Sequence, residues 1–139
     1  NIEKIEENNK HVKKLKERMI DYFEKNIENI TINSKDDSIF SNYILNISFE
    51  NILSEFLLHD LESKGIYIST GSACNSKSKD YSHVLKSLGL NENKLKGSIR
   101  ISFSKNNTIK EIDYACEKIK KSVNDLRKII KWKEKIWRH

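Results

Sequence analysis

Residues 98–126 have the sequence SIRISFSKNNTIKEIDYACEKIKKSVNDL, and the spacing of their apolar side chains changes halfway along. Ile99, Ile101 and Phe103 alternate with other residues, which is typical of a strand with one buried face. Thr108 and Glu111 then form the pattern of a capping box, which marks the first turn of a helix. The apolar residues that follow recur every three or four positions: Ile109, Ile112, Cys116, Ile119, Val123, Leu126 and Ile130. The stretch therefore predicts a strand followed directly by a long amphipathic helix.

A second long helix is predicted near the start of the sequence, over residues 2–29. Its apolar side is formed by Ile5, Val12, Leu15, Met19, Tyr22, Phe23 and Ile27, and glutamate and lysine fill the other side. No capping residue is evident before Ile2, so the pattern begins abruptly. We therefore expect the sequence to begin inside a longer helix.

Shorter elements fill the middle of the chain. Alternating and helical patterns predict strands at residues 30–33, 43–49 and 66–69 and helices at residues 54–64 and 80–88. In the first of these helices Phe56, Leu57 and Leu61 are expected to point inward, and Gly65 is expected to end it. The elements together predict a small α+β domain, with a mainly antiparallel sheet covered by helices.

Length and charge limit the classes of protein that the chain can represent. Its 139 residues suit one domain and are too few for a complete two-domain cofactor enzyme. The 26 Lys and Arg residues are mixed with 20 Asp and Glu, and only four of the basic residues are arginine. The net charge of +6 therefore indicates a solvated, lysine-rich surface rather than a nucleic-acid interface.

The expected compartment is the cytoplasm, without membrane attachment. No apolar run approaches the ~18 residues that a membrane helix needs, and no secretory signal is evident. The two cysteines lie far apart in unlike sequence contexts, which is poor material for a disulfide framework. A reducing compartment follows from that usage.

The two cysteines receive different interpretations. Cys116 occupies the apolar side of the last predicted helix, where a free cysteine behaves as a small hydrophobe, so we expect it to be inert. Cys74 lies in a loop of small residues between a strand and a helix, which leaves the thiol accessible. Lys77 and Lys79 are close in sequence, and nearby positive charge favours the thiolate.

The sequence of this loop fits two other chemistries poorly. Residues 71–78 nearly fit a phosphate-binding loop, but Ser76 stands where that loop needs its second glycine. Zinc would require paired ligands, and Cys74, Cys116, His59 and His83 show no such spacing. Arg100 falls in mid-strand, opposite in phase to Ile99 and Ile101. It is either an ordinary solvated side chain or a fork for a carboxylate.

Several segments together resemble the cysteine desulfurases of the NifS/IscS-like group, within the class V aminotransferases. Residues 65–74, GIYISTGSAC, resemble the active-site segment of that group, which carries a Ser-Gly-Ser-Ala-Cys-type loop after a strand. Residues 82–90 resemble the helix after that loop, and residues 98–102 resemble the strand with the substrate-carboxylate arginine. Residues 49–61 and 108–113 match an earlier strand and helix and the start of the last helix. The resemblance covers nearly the whole chain.

The resemblance implies the small C-terminal domain of a fold-type I enzyme that depends on pyridoxal phosphate. Cys74 would be the catalytic cysteine that takes sulfur from L-cysteine, and Arg100 would bind the substrate carboxylate. The active-site loop would be Thr70, Gly71, Ser72 and Ala73, with Thr70 in place of a more usual serine. Sulfur-acceptor proteins, a homodimer of the full-length enzyme and a role in iron–sulfur cluster assembly are implied as well.

No lysine of this chain lies in a motif that matches the cofactor lysine of the group. We therefore expect the large cofactor-binding domain to be absent, and this segment alone to be inactive, with neither pyridoxal phosphate nor a metal bound. Two alternatives stay open. One is a family member that lacks desulfurase activity or acts on selenocysteine. The other is a basic, non-catalytic interaction module.

Overall fold

The computed structural model describes residues 1–33, 42–70 and 97–137 of the chain. Within them lie three helices, α1 (Ile2–Asn26), α2 (Ser54–Ser63) and α3 (Ile109–Trp137). The strands are β1 (Ile30–Ile32), β2 (Ile44–Phe49), β3 (Ser69–Thr70) and β4 (Ser98–Ser102). The predicted helix at residues 80–88 lies outside the described residues.

The strands form one four-stranded sheet in the order β1-β2-β4-β3, and every neighbouring pair is antiparallel. Because β4 lies between β2 and β3 and is antiparallel to both, β2 and β3 run in the same direction. The predicted α+β class and the antiparallel character of the sheet are confirmed.

The core lies against one face of this sheet. Leu45, Ile47 and Phe49 of β2 and Ile99 and Ile101 of β4 are buried there, because alternate residues of a strand share a face. The helices contribute the facing side chains to the same continuous cluster: Val12, Leu15, Met19, Phe23, Leu57, Leu61, Ile112, Cys116, Ile119 and Val123. The predicted apolar sides of both long helices are therefore largely confirmed, with one correction in α3: Ile109 is 52% exposed, because it lies in the first turn, before the core contacts begin at Ile112.

The capping box predicted for α3 is present. The Thr108 backbone N–H donates to Glu111 Oε1 at 2.8 Å, and the Glu111 N–H donates to Thr108 Oγ1 at 3.2 Å. Two otherwise unpaired donors of the first turn are satisfied in this way. The helix therefore begins within a few residues of β4, which fixes its position relative to the sheet.

Arg127 ties the later part of α3 to the backbone around β1 and β2. Its guanidinium donates to three carbonyl oxygens, those of Glu28 at 2.7 Å, Asn29 at 3.2 Å and Glu50 at 3.1 Å. Partial burial of the group lowers the pKa of Arg127 from its ordinary value. The arginine joins the α1–β1 connection, the end of β2 and α3 at one point.

Three sequence expectations about side chains and caps are corrected. Asn1 does cap α1, since its Oδ1 accepts the Glu3 backbone N–H at 3.0 Å. Ile5 is 58% exposed, because the core contacts of α1 begin at Val12. Phe56 is likewise 58% exposed, while Leu57 and Leu61 are buried as predicted. Phe56 points about 100° away from Leu57 around the helix axis, which turns it off the buried stripe.

The boundaries of two predicted elements are also corrected. α1 ends at Asn26, three residues early, because Ile27 adopts an extended backbone with φ −128° and ψ 124°. The strand expected over residues 66–69 pairs only at Ser69 and Thr70. The Ile66 N–H instead donates to the Leu61 carbonyl at 2.9 Å, so the backbone directly after α2 serves to end that helix.

Candidate functional site

The sheet face opposite the core carries a row of polar side chains that crosses all four strands. Asn46 of β2 is paired with Arg100 of β4, and Arg100 is paired with Ser69 of β3. Asn33, directly after β1, continues the row, because its N–H donates to the Asn46 carbonyl at 2.8 Å. Residues paired across antiparallel strands point to the same face. The polar row, Asn33–Asn46–Arg100–Ser69, therefore presents amides, a guanidinium and a hydroxyl side by side.

Hydrogen bonds connect the polar row to the next row of the same face. Asn33 Nδ2 donates to Asn46 Oδ1 at 3.2 Å and to Ser48 Oγ at 2.8 Å. Ser48 Oγ lies 2.7 Å from Ser98 Oγ, and both of these serines are buried. The amide of Asn33 thus holds side chains of β2 in fixed orientations, and Arg100 lies beside them.

Arg100 is the only charged residue on this face among the residues that the structure describes. Its exposed side chain alternates with the buried Ile99 and Ile101, which confirms the orientation that its position in the strand predicted. The other members of the polar row are neutral. A guanidinium in such surroundings attracts anions, and its fork matches a carboxylate.

The loop that the sequence singles out begins at the edge of this face. Thr70 pairs with Ile99 as the last residue of β3. Gly71, Ser72, Ala73 and Cys74 lie outside the described residues. The described residues resume at Gly97, directly before β4. The Gly97 carbonyl accepts a hydrogen bond from the Phe49 N–H at 3.0 Å, next to the pairing of Ser48 with Ser98.

Cys116 has the inert surroundings that the sequence predicts. Its side chain is buried in the core cluster, to which α1, α3 and the sheet all contribute. Burial, followed by the charge of Asp113, raises the pKa of the Cys116 thiol to about 12. The reactive thiolate is therefore scarce near neutral pH at this position.

The described residues offer little to a metal or to pyridoxal phosphate. Among them no group of three or more His, Cys, Asp or Glu side chains is placed to hold a metal ion, and His59 is exposed. His83 and the near-match to a phosphate-binding loop fall outside that part of the chain. The polar face has, within its described strands, no lysine for a Schiff base and no carboxylate for a pyridine nitrogen. It does not fit that cofactor.

No described helix is long and apolar enough to cross a membrane.

Sequence reasoning found Arg100 but not its neighbours in the polar row. Strand alternation does put Asn46 on the side away from Leu45 and Ile47, and that was the one available signal. Which residues of different strands lie opposite each other depends on the register, and the sequence leaves the register open. Asn33 and Ser69 become part of the site only through that pairing.

The sequence is similar to a known protein family and to individual proteins over most of its length. Residues 1–115 match the Aminotransferase class-V family. The chain is 40% identical over 123 residues to cysteine desulfurase IscS of Methanosarcina thermophila, covering 88% of this chain and 30% of the relative. It is 40% identical over 129 residues to cysteine desulfurase IscS of Clostridium botulinum, covering 92% of this chain and 32% of the relative.

A solved structure gives the same result for the fold. The NifS-like protein from Rickettsia africae superposes with a TM-score of 0.68 at 28% identity, covering 85% of this chain and 29% of the solved chain. The chain thus spans about 30% of the length of the curated relatives it matches. On the family match and these relatives together, the chain belongs to the aminotransferase class-V family.

Proposed function

We propose that this chain is the C-terminal domain of a pyridoxal-phosphate-dependent cysteine desulfurase. The observation that carries the proposal is the position of Arg100 on a polar sheet face. Among the described residues of that face, Arg100 is the only one with a charged side chain. The similarity to proteins named cysteine desulfurase supports the same activity. The substrate would be L-cysteine, whose carboxylate suits the guanidinium fork.

Cys74 would receive the sulfur atom. In the overall reaction L-cysteine and the Cys74 thiol give L-alanine and a Cys74 persulfide, so the atoms balance without a further oxidant or reductant. Cys74 follows Thr70 by four residues, so its backbone can extend at most about 14 Å from the edge of the polar face. A loop built from Gly71, Ser72 and Ala73 has little bulk, which suits a nucleophile that must reach both a substrate and an acceptor protein.

The cofactor would be held elsewhere in the protein. Pyridoxal phosphate supplies the electron sink that weakens the bond between carbon and sulfur in the substrate. The polar face does not fit it, so we place its lysine and acidic partner in a large domain that precedes this one. Homodimerisation, delivery of sulfur to acceptor proteins for iron–sulfur cluster assembly and a cytoplasmic location complete the proposal.

The decisive experiment compares two cysteine variants of the complete protein loaded with cofactor. Cys74→Ser should abolish alanine and persulfide formation from L-cysteine, while Cys116→Ala should keep both. Mass spectrometry of peptides should find the additional sulfur atom on Cys74 only. Normal persulfide formation in Cys74→Ser would overturn the proposal. Turnover of selenocysteine but not cysteine by the unchanged protein would overturn it in favour of the related substrate.

A further inference from the structure

A cleft of about 470 Å³ lies at one end of the sheet, between the end of α1, the segment after β2 and the later half of α3. The described residues that line it include three cationic side chains, Arg127, Lys128 and Lys131, and one carboxylate, that of Glu28. Lys131 follows Lys128 by three residues and Arg127 by four, so the three belong to one face of α3. Asparagine amides complete the lining of this basic cleft.

The positive charge of the basic cleft is not neutralised within the described part of the chain. The carbonyl oxygens that accept from Arg127 hold its guanidinium in place at the wall of the cleft. Lys128 and Lys131 are exposed, and neither belongs to the ion pairs that the described residues form. The cleft therefore offers an excess of cationic donors to a ligand that carries carboxylates.

The basic cleft lies at the end of the sheet from which the Cys74 loop departs. The strand pairings place the start of β1, the end of β2, the start of β4 and the end of β3 at this same end. Asn29, in the wall of the cleft, directly precedes β1. β1 and β3 are three strand spacings apart, so Thr70 lies about 14 Å from the cleft. The backbone of Cys74 is at most about 14 Å from Thr70.

We propose that the basic cleft is the docking site for an acidic segment of the protein that accepts sulfur from Cys74. This inference rests on the proposed function. Lys128 and Lys131 are one helical turn apart, with Cβ atoms about 5–6 Å from each other, and two glutamates one turn apart on an acidic helix have the same spacing. The cleft contains one arginine beside two lysines, which favours carboxylates over the phosphates of a nucleic acid.

Docking at this distance would hold the acceptor thiol within reach of the persulfide. In the transfer step the acceptor thiolate attacks the outer sulfur of the Cys74 persulfide and the bond between the two sulfurs breaks. Cys74 leaves as a thiolate and takes up the proton that the acceptor thiol lost, so no oxidant or reductant is needed. A second point of attachment raises the effective concentration of the acceptor thiol at Cys74.

The test uses the complete, cofactor-loaded protein and two synthetic peptides as sulfur acceptors. Each peptide carries an acetylated cysteine and a linker of about ten Gly and Ser residues, which spans up to ~33 Å. One peptide ends in hexaglutamate and the other in hexaglutamine. The protein is first loaded with stoichiometric L-cysteine, and mass spectrometry then follows the outer sulfur onto each peptide. The hexaglutamate peptide should accept sulfur about 10-fold faster, and about 1 M salt should remove the advantage.

A pair of double variants shows whether this advantage comes from the cleft. Lys128→Gln/Lys131→Gln should lower the ratio of the two rates from about 10 to nearly 1. Lys10→Gln/Lys13→Gln is the matched control and should leave the ratio unchanged. Lys10 and Lys13 are also exposed, three residues apart and without an ion pair among the described residues. They lie beside the opposite end of the sheet, where the neighbouring His11 contacts the Asn107 carbonyl.

The outcomes separate this inference from the proposed function. If no persulfide forms on Cys74 in the unchanged protein, the desulfurase proposal itself is wrong. If the persulfide forms but both peptides accept sulfur equally fast, the docking role of the cleft is wrong and the desulfurase proposal stands. An equal fall of the ratio in both double variants would mean that overall charge, not the cleft, attracts the peptide. If single-stranded RNA removes the advantage at a lower concentration than free hexaglutamate does, the cleft is a nucleic-acid site and the inference is refuted.

Discussion

Arg100 holds a full positive charge on a strand face whose other described side chains are neutral, and the partner we propose for it is the carboxylate of the substrate. Lysine keeps the charge but cannot form two parallel hydrogen bonds to one carboxylate. In the complete protein we expect Arg100→Lys to lower kcat/KM for L-cysteine about 10- to 150-fold, as the loss of ~1.5–3 kcal/mol predicts.

The matched control for that prediction is Arg18→Lys. Arg18 also forms a fork with a carboxylate, at 2.6 and 2.9 Å from the two oxygens of Asp113, but on the exposed α1–α3 surface. Its replacement should leave kcat/KM unchanged. A near-normal kcat/KM in Arg100→Lys, or the unfolding of that variant, would contradict a role in substrate binding.

Cys116 gives a prediction with a definite pH dependence. Burial raises the pKa of its thiol to about 12, above the ordinary value of 9.0, so the folded protein keeps the proton until strongly alkaline pH. Iodoacetamide reacts with thiolates, and Cys116 should therefore stay unmodified between pH 7 and 9, within the range where ordinary thiols begin to react. Peptide mass mapping should find Cys74 alkylated first. Rapid labelling of Cys116 at pH 8 in the folded chain would contradict its burial.

At the scale of the elements, Arg127 connects three segments that are far apart in sequence. Arg127→Met should lower the free energy of unfolding by about 1–3 kcal/mol, because three backbone carbonyls lose their charged donor. Urea denaturation followed by circular dichroism measures the change. Arg18→Met, which removes an exposed ion pair, should lower the free energy of unfolding clearly less than Arg127→Met does. Equal costs for the two variants would mean that the Arg127 contacts contribute little.

Gly97 and Gly65 are each required for a different reason. At Gly97 there is no space for a side chain, whereas at Gly65 the backbone conformation disfavours one. A Cβ at Gly97 would lie 1.9 Å from the Phe49 carbonyl oxygen, so Gly97→Ala must push β2 and β4 apart and should cost more than about 3 kcal/mol. Gly65 has φ +80° with nothing within 4 Å of such a Cβ, so Gly65→Ala should cost only about 1–2 kcal/mol. Thermal unfolding of both variants gives the comparison. A smaller effect at Gly97 than at Gly65 would contradict this packing.

Local patterns predicted the elements well where one physical effect dominates. The α3 capping box and the alternation in β4 each depend on neighbouring residues, and both are present. Ile5 was misplaced because α1, at about 37 Å, is longer than any strand it covers, so its first turns lie beyond the core. β3 is short because the Ile66 N–H donates to the Leu61 carbonyl at the end of α2 and does not pair in the sheet.

For the whole molecule, the order of elements was enough to predict an antiparallel sheet covered by helices. The strand order β1-β2-β4-β3 and its register were not predictable, since they depend on contacts between distant segments. The polar row is a product of that register, which explains why the sequence indicated Arg100 alone. The family resemblance predicted the role of Arg100, and the structure of the sheet shows which residues lie beside it, Asn46 and Ser69.

The last prediction concerns the 139-residue chain on its own. Its described polar face has no lysine or carboxylate to hold pyridoxal phosphate, and the chain spans about 30% of its curated relatives. Mixed with the cofactor and L-cysteine, the chain should therefore form no alanine or sulfide above the rate of its Cys74→Ser variant. Because pyridoxal phosphate reacts slowly with surface lysines, absorbance alone is a poor criterion, and the comparison of the two rates is the test. Turnover that disappears in Cys74→Ser would mean that this chain contains a complete cofactor site.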